Sequence, residues 1–430
     1  MHADTETNGN RKFAWGQRHW LVLLVFLAII IAYSDRVNIS VAAVSMKEQL
    51  GWTQTTKGYV LSAFFVGYMA FMFVSGWLCL RLGGRLVMGI AVLWWSIFTL
   101  LTPIAAAISV PVLIGARIGM GLGEAAVFPA ALQVLGRWLP LQERTRGVST
   151  VTSGIPLGTV IGLLVTGWIL GRFSWPAAFY FFGVVGVIWS VIWFATITDD
   201  PTTDPRTSPA ERHLLAQLQL DKVESSEQLP WRRLLLRPAV WALVATHFAT
   251  TWSLYMLLTW LPSFFRDVQH VSIANSGLLS AAPWLSMFIM TYVGIELSNY
   301  TIRRTKRIVL GRKLVQCSGL LGSAALLLCA QQAHSVVEAV VIACAATGFL
   351  GFCWAGYMPN FIDLAPRHSA LLTGFSNTFA TIPGIVGVSI TGWLVDLTGG
   401  YTAAFGLAAG VSIAGAVIYM IYGSSDPLIE

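Results

Sequence analysis

Charged side chains make up only 11% of the 430 residues, against roughly 25% in an average soluble domain. With 56% hydrophobic residues, a soluble fold of this length has too few polar groups to cover its surface, so lipid must face much of it. Cysteine is scarce as well. Cys79, Cys317, Cys329, Cys344 and Cys353 lack the paired spacing of a metal site and lie mostly in apolar runs, where they read as buried neutral thiols. A nucleophile elbow, a Gly-rich phosphate loop on a strand and a metal-ligand cluster are all missing, which argues against a membrane-embedded enzyme. No cleavable signal precedes the first apolar run, which follows a polar tail and is long enough to span. Tails of about 19 and 7 residues leave no expectation of a soluble signalling segment.

What the chain does have is a series of apolar runs of about 20 residues, the length a bilayer core demands. They fall at 20–43, 58–78, 86–108, 112–138, 148–170 and 177–197, and again at 240–264, 275–297, 308–330, 336–358, 370–394 and 403–422. The expected fold is an all-α membrane protein of twelve transmembrane helices in two six-helix bundles. Residues 1–19 read as a tail, 20–198 as the first bundle, 199–238 as a linker and 239–430 as the second bundle. Within the linker, Ser208 as N-cap, Pro209 in the first turn and Glu211 as capping-box partner predict a short amphipathic helix that joins the halves. A Gly, a polar turn and basic residues follow both the second and the eighth run, as a repeat of the halves requires; such a repeat suits a rocking two-bundle transporter.

The net charge of +7 orients the chain and does not point to nucleic acid. With both termini inside, the inner segments hold 21 Lys or Arg and the outer loops 4, so both termini are expected in the cytoplasm. Trp20, Trp52, Trp138, Trp175 and Trp231 sit near run ends and suggest an interfacial aromatic belt.

Four charges lie deep in the first half: Asp35, Arg36, Arg117 and Glu124. An ionisable group at the bilayer centre costs about 2.5–3.5 kcal/mol on insertion scales, so it usually faces the bundle interior or water. Arg117 and Glu124 are seven residues apart, two helical turns, and share a face. Gly119, Gly121 and Gly123 between them are expected to leave that face narrow and open. Asp35 and Arg36 are splayed by about 100°, so only one can point at a central cavity. A guanidinium stays charged and can grip a carboxylate or phosphate through two parallel bonds, which makes Arg117 and Arg36 candidates for an anionic substrate. Glu124 or Asp35, on taking a proton, would release an arginine for that task. The same residues can also be read as ion pairs holding the first and fourth helices together. In the second half, Asn377 and Thr381 share a helical face beside Ser376, ahead of Pro383, as pocket or as interhelical glue. Tyr33, Tyr68, Trp252 and Tyr255 are candidate cavity aromatics, and His247 reads as hydrogen-bonded and structural. Glu296, Asp363 and Asp396 read as interfacial. Gly154, Gly158 and Gly162 form a close-packing stripe, bent by Pro156.

The segments "DRVNISVA" (35–42), "SAFFVGYM" (62–69), "RIGMGLGEAAVFPA" (117–130), "RWLPLQERTRG" (137–147), "LLTWLPSFF" (257–265) and "DLAPRHSALLTGFSNTFATIPGI" (363–385) resemble the major facilitator superfamily. Within it they are similar to the anion:cation symporters, the group of sialin, the vesicular glutamate and type I phosphate transporters and the bacterial sugar-acid permeases. The resemblance implies transport roles for the matching Arg and Glu positions and favours a pocket role for Tyr68 and Asn377. Departures are visible. Leu80 and Asn299 stand where that superfamily carries gating acids, and Leu61, Thr250 and Ile155 replace polar ligands of particular relatives, so no relative's substrate transfers. The function expected is import of a small organic anion, a carboxylate such as a sugar acid, by proton-coupled symport. Anion exchange or uniport, of organic anions or of phosphate, is the alternative. The proton is the expected coupling ion, with no other cofactor. The chain is expected to act as a monomer among membrane lipids, in a bacterial-type inner membrane.

Overall fold

The computed structural model describes residues 16–200, 204–209, 211–212, 235–366 and 368–428. Fourteen α-helices among them form twelve spans. Span 1 is Gln17–Leu50, span 2 Gln54–Leu82 and span 3 Gly84–Ile108. Span 4 is broken into Val110–Glu124 and Val127–Trp138, span 5 into Leu141–Thr152 and Gly154–Leu170, and span 6 is Pro176–Thr196. The second half repeats the count, with span 7 Pro238–Asp267, span 8 Ile273–Thr305 and span 9 Ile308–Cys329. Span 10 is Val336–Leu364, span 11 Ser369–Thr398 and span 12 Thr402–Tyr422. Ten spans are long and apolar enough by themselves to cross a bilayer. Spans 7 and 9 complete the set; span 7 buries most of its length, including four of its threonines, so interior polar residues lower its hydropathy without meeting lipid.

Several helices outrun the apolar runs that announce them. Span 1 has 34 residues, about 51 Å at 1.5 Å per residue, so its end projects beyond a hydrocarbon core of about 30 Å. The bundle therefore has a termini end, where span 1 begins and span 12 finishes, and a far end, where spans 1 and 2, 7 and 8, and 11 and 12 are joined. The two halves meet where span 2 lies along span 11 and span 5 along span 8.

Both breaks have a chemical cause. Pro129 has no N–H for the carbonyl of Ala125, four residues back; the Ser75 hydroxyl of span 2 lies 3.1 Å from that oxygen and can donate to it. Pro156 likewise has no N–H to offer the Thr152 carbonyl, and span 5 is interrupted at Ser153. The glycine stripe of span 5 packs as its spacing predicts. A Cβ on Gly158 would lie 2.9 Å from Ile30 Cα, and one on Gly162 2.7 Å from Ser34 Cα. The Ser34 hydroxyl donates to the Gly158 carbonyl at 2.9 Å, a bond this close approach allows.

Three expectations need correction. The glycines of span 4 do not leave an open face: a Cβ on Gly121 would stand 2.8 Å from the backbone nitrogen of Tyr68, and one on Gly123 2.8 Å from Trp94. They let span 4 lie directly on spans 2 and 3. Trp52, Trp138 and Trp175 are buried and belong to the protein interior, not to an interfacial belt; Trp175 donates to the Gln49 side chain at 2.7 Å. Trp231 lies outside the described residues. Cys329 is exposed and Cys344 only partly covered, whereas Cys79, Cys317 and Cys353 are buried.

Residues 1–15 of the tail and 213–234 of the linker lie outside the described residues, so the linker helix is seen only at its start. There Ser208 Oγ accepts the Glu211 N–H at 3.2 Å, as an N-cap should. The Glu211 carboxylate, expected to fold back on its own helix, instead accepts the N–H groups of Gln17 and Arg18, each at 3.1 Å, and pairs with the Arg18 guanidinium. It caps span 1, whose first turn carries no acid of its own. The linker thus does more than join the halves.

Gly162→Leu forces span 5 off span 1, an overpacking cost of about 1–3 kcal/mol. It is expected to lower the melting temperature of the detergent-purified protein, followed by intrinsic tryptophan fluorescence, whereas Leu at Gly136, which has nothing within 4 Å, is expected to leave it unchanged.

Candidate substrate and proton site

Span 1 carries Asp35 and Arg36 past the middle of span 4, and the structure divides them. Asp35 turns toward span 3, fully buried, where it accepts long bonds of 3.4 Å from Thr99 Oγ1 and from Asn38 Nδ2. Arg36 turns toward the space between the halves. Its Nη2 and Nε both donate to Glu124 Oε2, at 2.8 and 3.2 Å. Glu124 closes the first segment of span 4, immediately before the break that Pro129 imposes. Its other oxygen, Oε1, is buried with no hydrogen-bond partner among the described residues.

Aromatic faces enclose the Arg36 guanidinium. The rings of Tyr33, Phe64 and Tyr68 lie 4.6, 4.8 and 5.1 Å from its central carbon, each within cation–π range. Tyr33 and Tyr68 keep part of their surface exposed, so they front a space while Arg36 forms its back wall. From the second half Tyr255 reaches this wall, packing on Phe65 at 4.5 Å.

Arg117 lies deeper. It is 1% exposed, its Nη1 is 2.9 Å from the Met120 sulfur, and its Nε has no partner among the described residues. A thioether is a weak acceptor, and Phe64 at 5.6 Å adds a ring face. Of these four charges, then, Arg36 and Glu124 form an ion pair, while Arg117 and Asp35 have no ion-pair partner of comparable closeness. Burial of a charge is costly unless it is paired. Arg117 and Asp35 are thus the two of the four whose burial is least compensated.

The second-half candidates stand apart from the arginines. Asn377 is 3.7 Å from the Met72 sulfur on span 2, one turn beyond Tyr68. Thr381 returns its hydroxyl to the Asn377 carbonyl at 2.8 Å, within its own helix. Ser376 bonds His247 at 2.9 Å, and His247 stacks on Tyr357 at 4.5 Å, a hydrogen-bonded and packed histidine. Asp363 pairs with Arg312 at 2.9 Å. At the termini end Leu80 is exposed, and Arg85 pairs with Asp199 at 3.6 Å instead of with an acid in its own loop.

Gln316 and Lys57, both buried, were not among the expected site residues. Gln316 of span 9 donates to Thr246 and Thr250 at 2.8 and 3.2 Å. A glutamine alone in an apolar run was the available signal. Lys57, counted with an outer loop, is 1% exposed inside the contact between the halves; its position at the edge of an apolar run concealed it.

The model of the Major Facilitator Superfamily matches residues 25–312. The chain is 36% identical over 414 residues to "Sodium-dependent phosphate transport protein 1, chloroplastic" of Arabidopsis thaliana, covering 96% of this chain and 80% of that protein. It is 33% identical to the "Ascorbate transporter, chloroplastic" of the same plant, covering 99% and 79%. Sialin of Ovis aries is 32% identical, covering 95% and 90%. Among solved structures, the fold matches a bacterial homologue of the human lysosomal transporter Spinster with a TM-score of 0.73 over 96% of each chain, at 17% identity. This chain belongs to the major facilitator superfamily, in its anion:cation symporter branch, and is a multi-pass membrane transporter, not an enzyme.

Proposed function

We propose that the chain moves a small organic anion by alternating access and that protons drive it through the Arg36–Glu124 pair. The observation that carries this reading is the pair itself: a buried guanidinium at the wall of the central space, held by a carboxylate at 2.8 Å that competes with any incoming anion. A proton on Glu124 removes the charge that holds Arg36 and turns the carboxyl into a hydrogen-bond donor. Arg36 is then free to grip a carboxylate or phosphate oxygen, with Tyr33 and Tyr68 closing around it. Arg117 supplies the second positive charge behind it. Asp35 is a second proton carrier, set against Thr99. Asn377 and Thr381 line the route on the side of the second half. The proton is the coupling ion and no other cofactor takes part.

Two of the relatives are named for phosphate and ascorbate; an anionic cargo is common to both, and it suits two buried arginines. Phosphate keeps an inorganic cargo, moved by exchange or uniport, as the second reading. The positive-inside asymmetry supports both termini in the cytoplasm, with the far end outside. Apolar side chains such as Phe73, Trp77, Val191 and Ile289, all more than half exposed, would meet lipid tails, and each chain carries both halves of its own site, as a monomer requires. The reported relatives are plant and animal proteins, two of them chloroplastic, and they lend no support to the bacterial inner membrane expected from the sequence.

In proteoliposomes with an acidic exterior, labelled ascorbate, sialic acid and phosphate are the first cargoes to assay, and uptake that ignores the pH gradient would remove symport. Glu124→Gln keeps the shape of the side chain and is expected to abolish gradient-driven uptake while sparing exchange of internal for external substrate; full driven uptake in this variant would take the proton role from Glu124. Arg36→Lys and Arg117→Lys exchange a planar fork for a point charge. Each is expected to weaken the thermal stabilisation given by a bound anion at least about tenfold in apparent affinity, and unchanged affinity in both would leave the arginines as helix clamps only.

A further inference from the structure

The far end of the molecule is closed by polar bonds that cross between the halves, and they converge on the start of span 2. An α-helix leaves its first N–H groups without intrahelical partners. In span 2 the Thr56 N–H goes to Thr53 Oγ1 at 3.0 Å. Those of Gln54 and Thr55 go to the other half: the Asp396 carboxylate of span 11 accepts them at 3.0 and 2.7 Å, and the Thr55 hydroxyl at 2.6 Å. Span 2 has no acid in its first turn. Its N-terminal dipole is therefore complemented from across the seam. Beside this cap, Gln54 Nε2 donates to Asp267 Oδ2 of span 7 at 2.9 Å, the oxygen that also accepts the Tyr401 hydroxyl. Arg266 and Glu48 pair at the rim at 3.1 Å.

Lys57 sits one turn further in. Its ammonium donates to Ser263 Oγ at 2.9 Å and lies 4.6 Å over the Trp260 ring. The carboxylates of Asp267 and Asp396 and the Lys47 ammonium belong to the same charged cluster. A neutral hydroxyl and a ring face compensate poorly for the hydration an ammonium loses, and the two carboxylates offset that loss only in part, so Lys57 gains from opening while Asp396 gains from closure. Span 2 and span 11 touch by backbone here: a Cβ on Gly58 would stand 3.2 Å from the Ser389 carbonyl oxygen. One turn further along, the Ser389 hydroxyl donates to Ser62 Oγ across the seam at 2.7 Å.

We propose that Asp396 and Lys57 form a two-way latch at the far end, Asp396 holding the halves together by capping span 2 and Lys57 driving them apart. The proposal rests on the alternating-access reading above, but its test requires neither substrate nor proton gradient. Hydrogen–deuterium exchange of the full chain in detergent micelles, read by mass spectrometry over 44–58 and 256–268, follows both sides of the seam. Asp396→Asn replaces charge-assisted bonds by neutral ones and is expected to speed exchange in both segments together, by at least about tenfold. Lys57→Met keeps the stem without the charge and is expected to slow exchange in both and to restore Asp396→Asn toward the parent rate. Faster exchange confined to 53–57 in Asp396→Asn would mean a local cap and no latch. Unchanged exchange in Asp396→Asn, or faster exchange in Lys57→Met, would also overturn it. If exchange behaves as expected while driven uptake fails, the latch stands and the proton-coupled reading falls.

Discussion

A positive charge taken out of water must be matched, and in this protein that requirement falls on Arg36. The carboxylate that matches it, Glu124, comes from a different helix, and the ring faces that line it come from spans 1 and 2. Two of these helices, spans 2 and 4, lie almost in backbone contact, and Gly67 and Gly121 provide that closeness; Gly158 and Gly162 likewise seat span 5 against span 1. The pair is buried, so removing either partner would strand the other charge, and on the proposed cycle a proton on Glu124 is what releases it. A pair of the same residues on the surface would be worth about 0–1 kcal/mol and could not hold an anion against water.

Much of this was legible in the sequence, for identifiable reasons. Lipid imposes length and apolarity on each span, so the twelve helices announce themselves. Asp35, Arg36, Arg117 and Glu124 stand out because a charge in such a run is expensive. The spacing of Gly154, Gly158 and Gly162 survives as a packing stripe because a helix repeats at that interval. The glycines of span 4 show the limit of that reasoning. Spacing places them on the helix but does not say whether cavity or neighbour lies opposite, and Phe98, Tyr68 and Trp94 fill the space. Adjacency told that Asp35 and Arg36 diverge; only the packing of span 3 shows which one turns away.

The roles that stayed hidden are those that depend on a distant part of the chain. Lys57 and Asp396 lie at run ends, where charges are ordinary, and 339 positions separate them. Glu211 had a local partner in Ser208 and found a distant one in the first turn of span 1. Local rules describe what a side chain can do within its own helix. They do not reveal a helix end that another segment must complete.

The break in span 4 ties these observations together mechanically. Because Pro129 cannot satisfy the Ala125 carbonyl, that oxygen is left to the Ser75 hydroxyl of span 2, one residue beyond the carboxylate that holds Arg36. Span 2 therefore runs as a single rod from the cap at Gln54 to a point of attachment at the joint beside Glu124. A tilt of that rod at the far seam would be delivered, about 30 Å away at 1.5 Å per residue, to the spot where the proposed cycle opens the buried pair. On that reading gate and charge pair would share one lever, and neither would have to sense the other through the substrate.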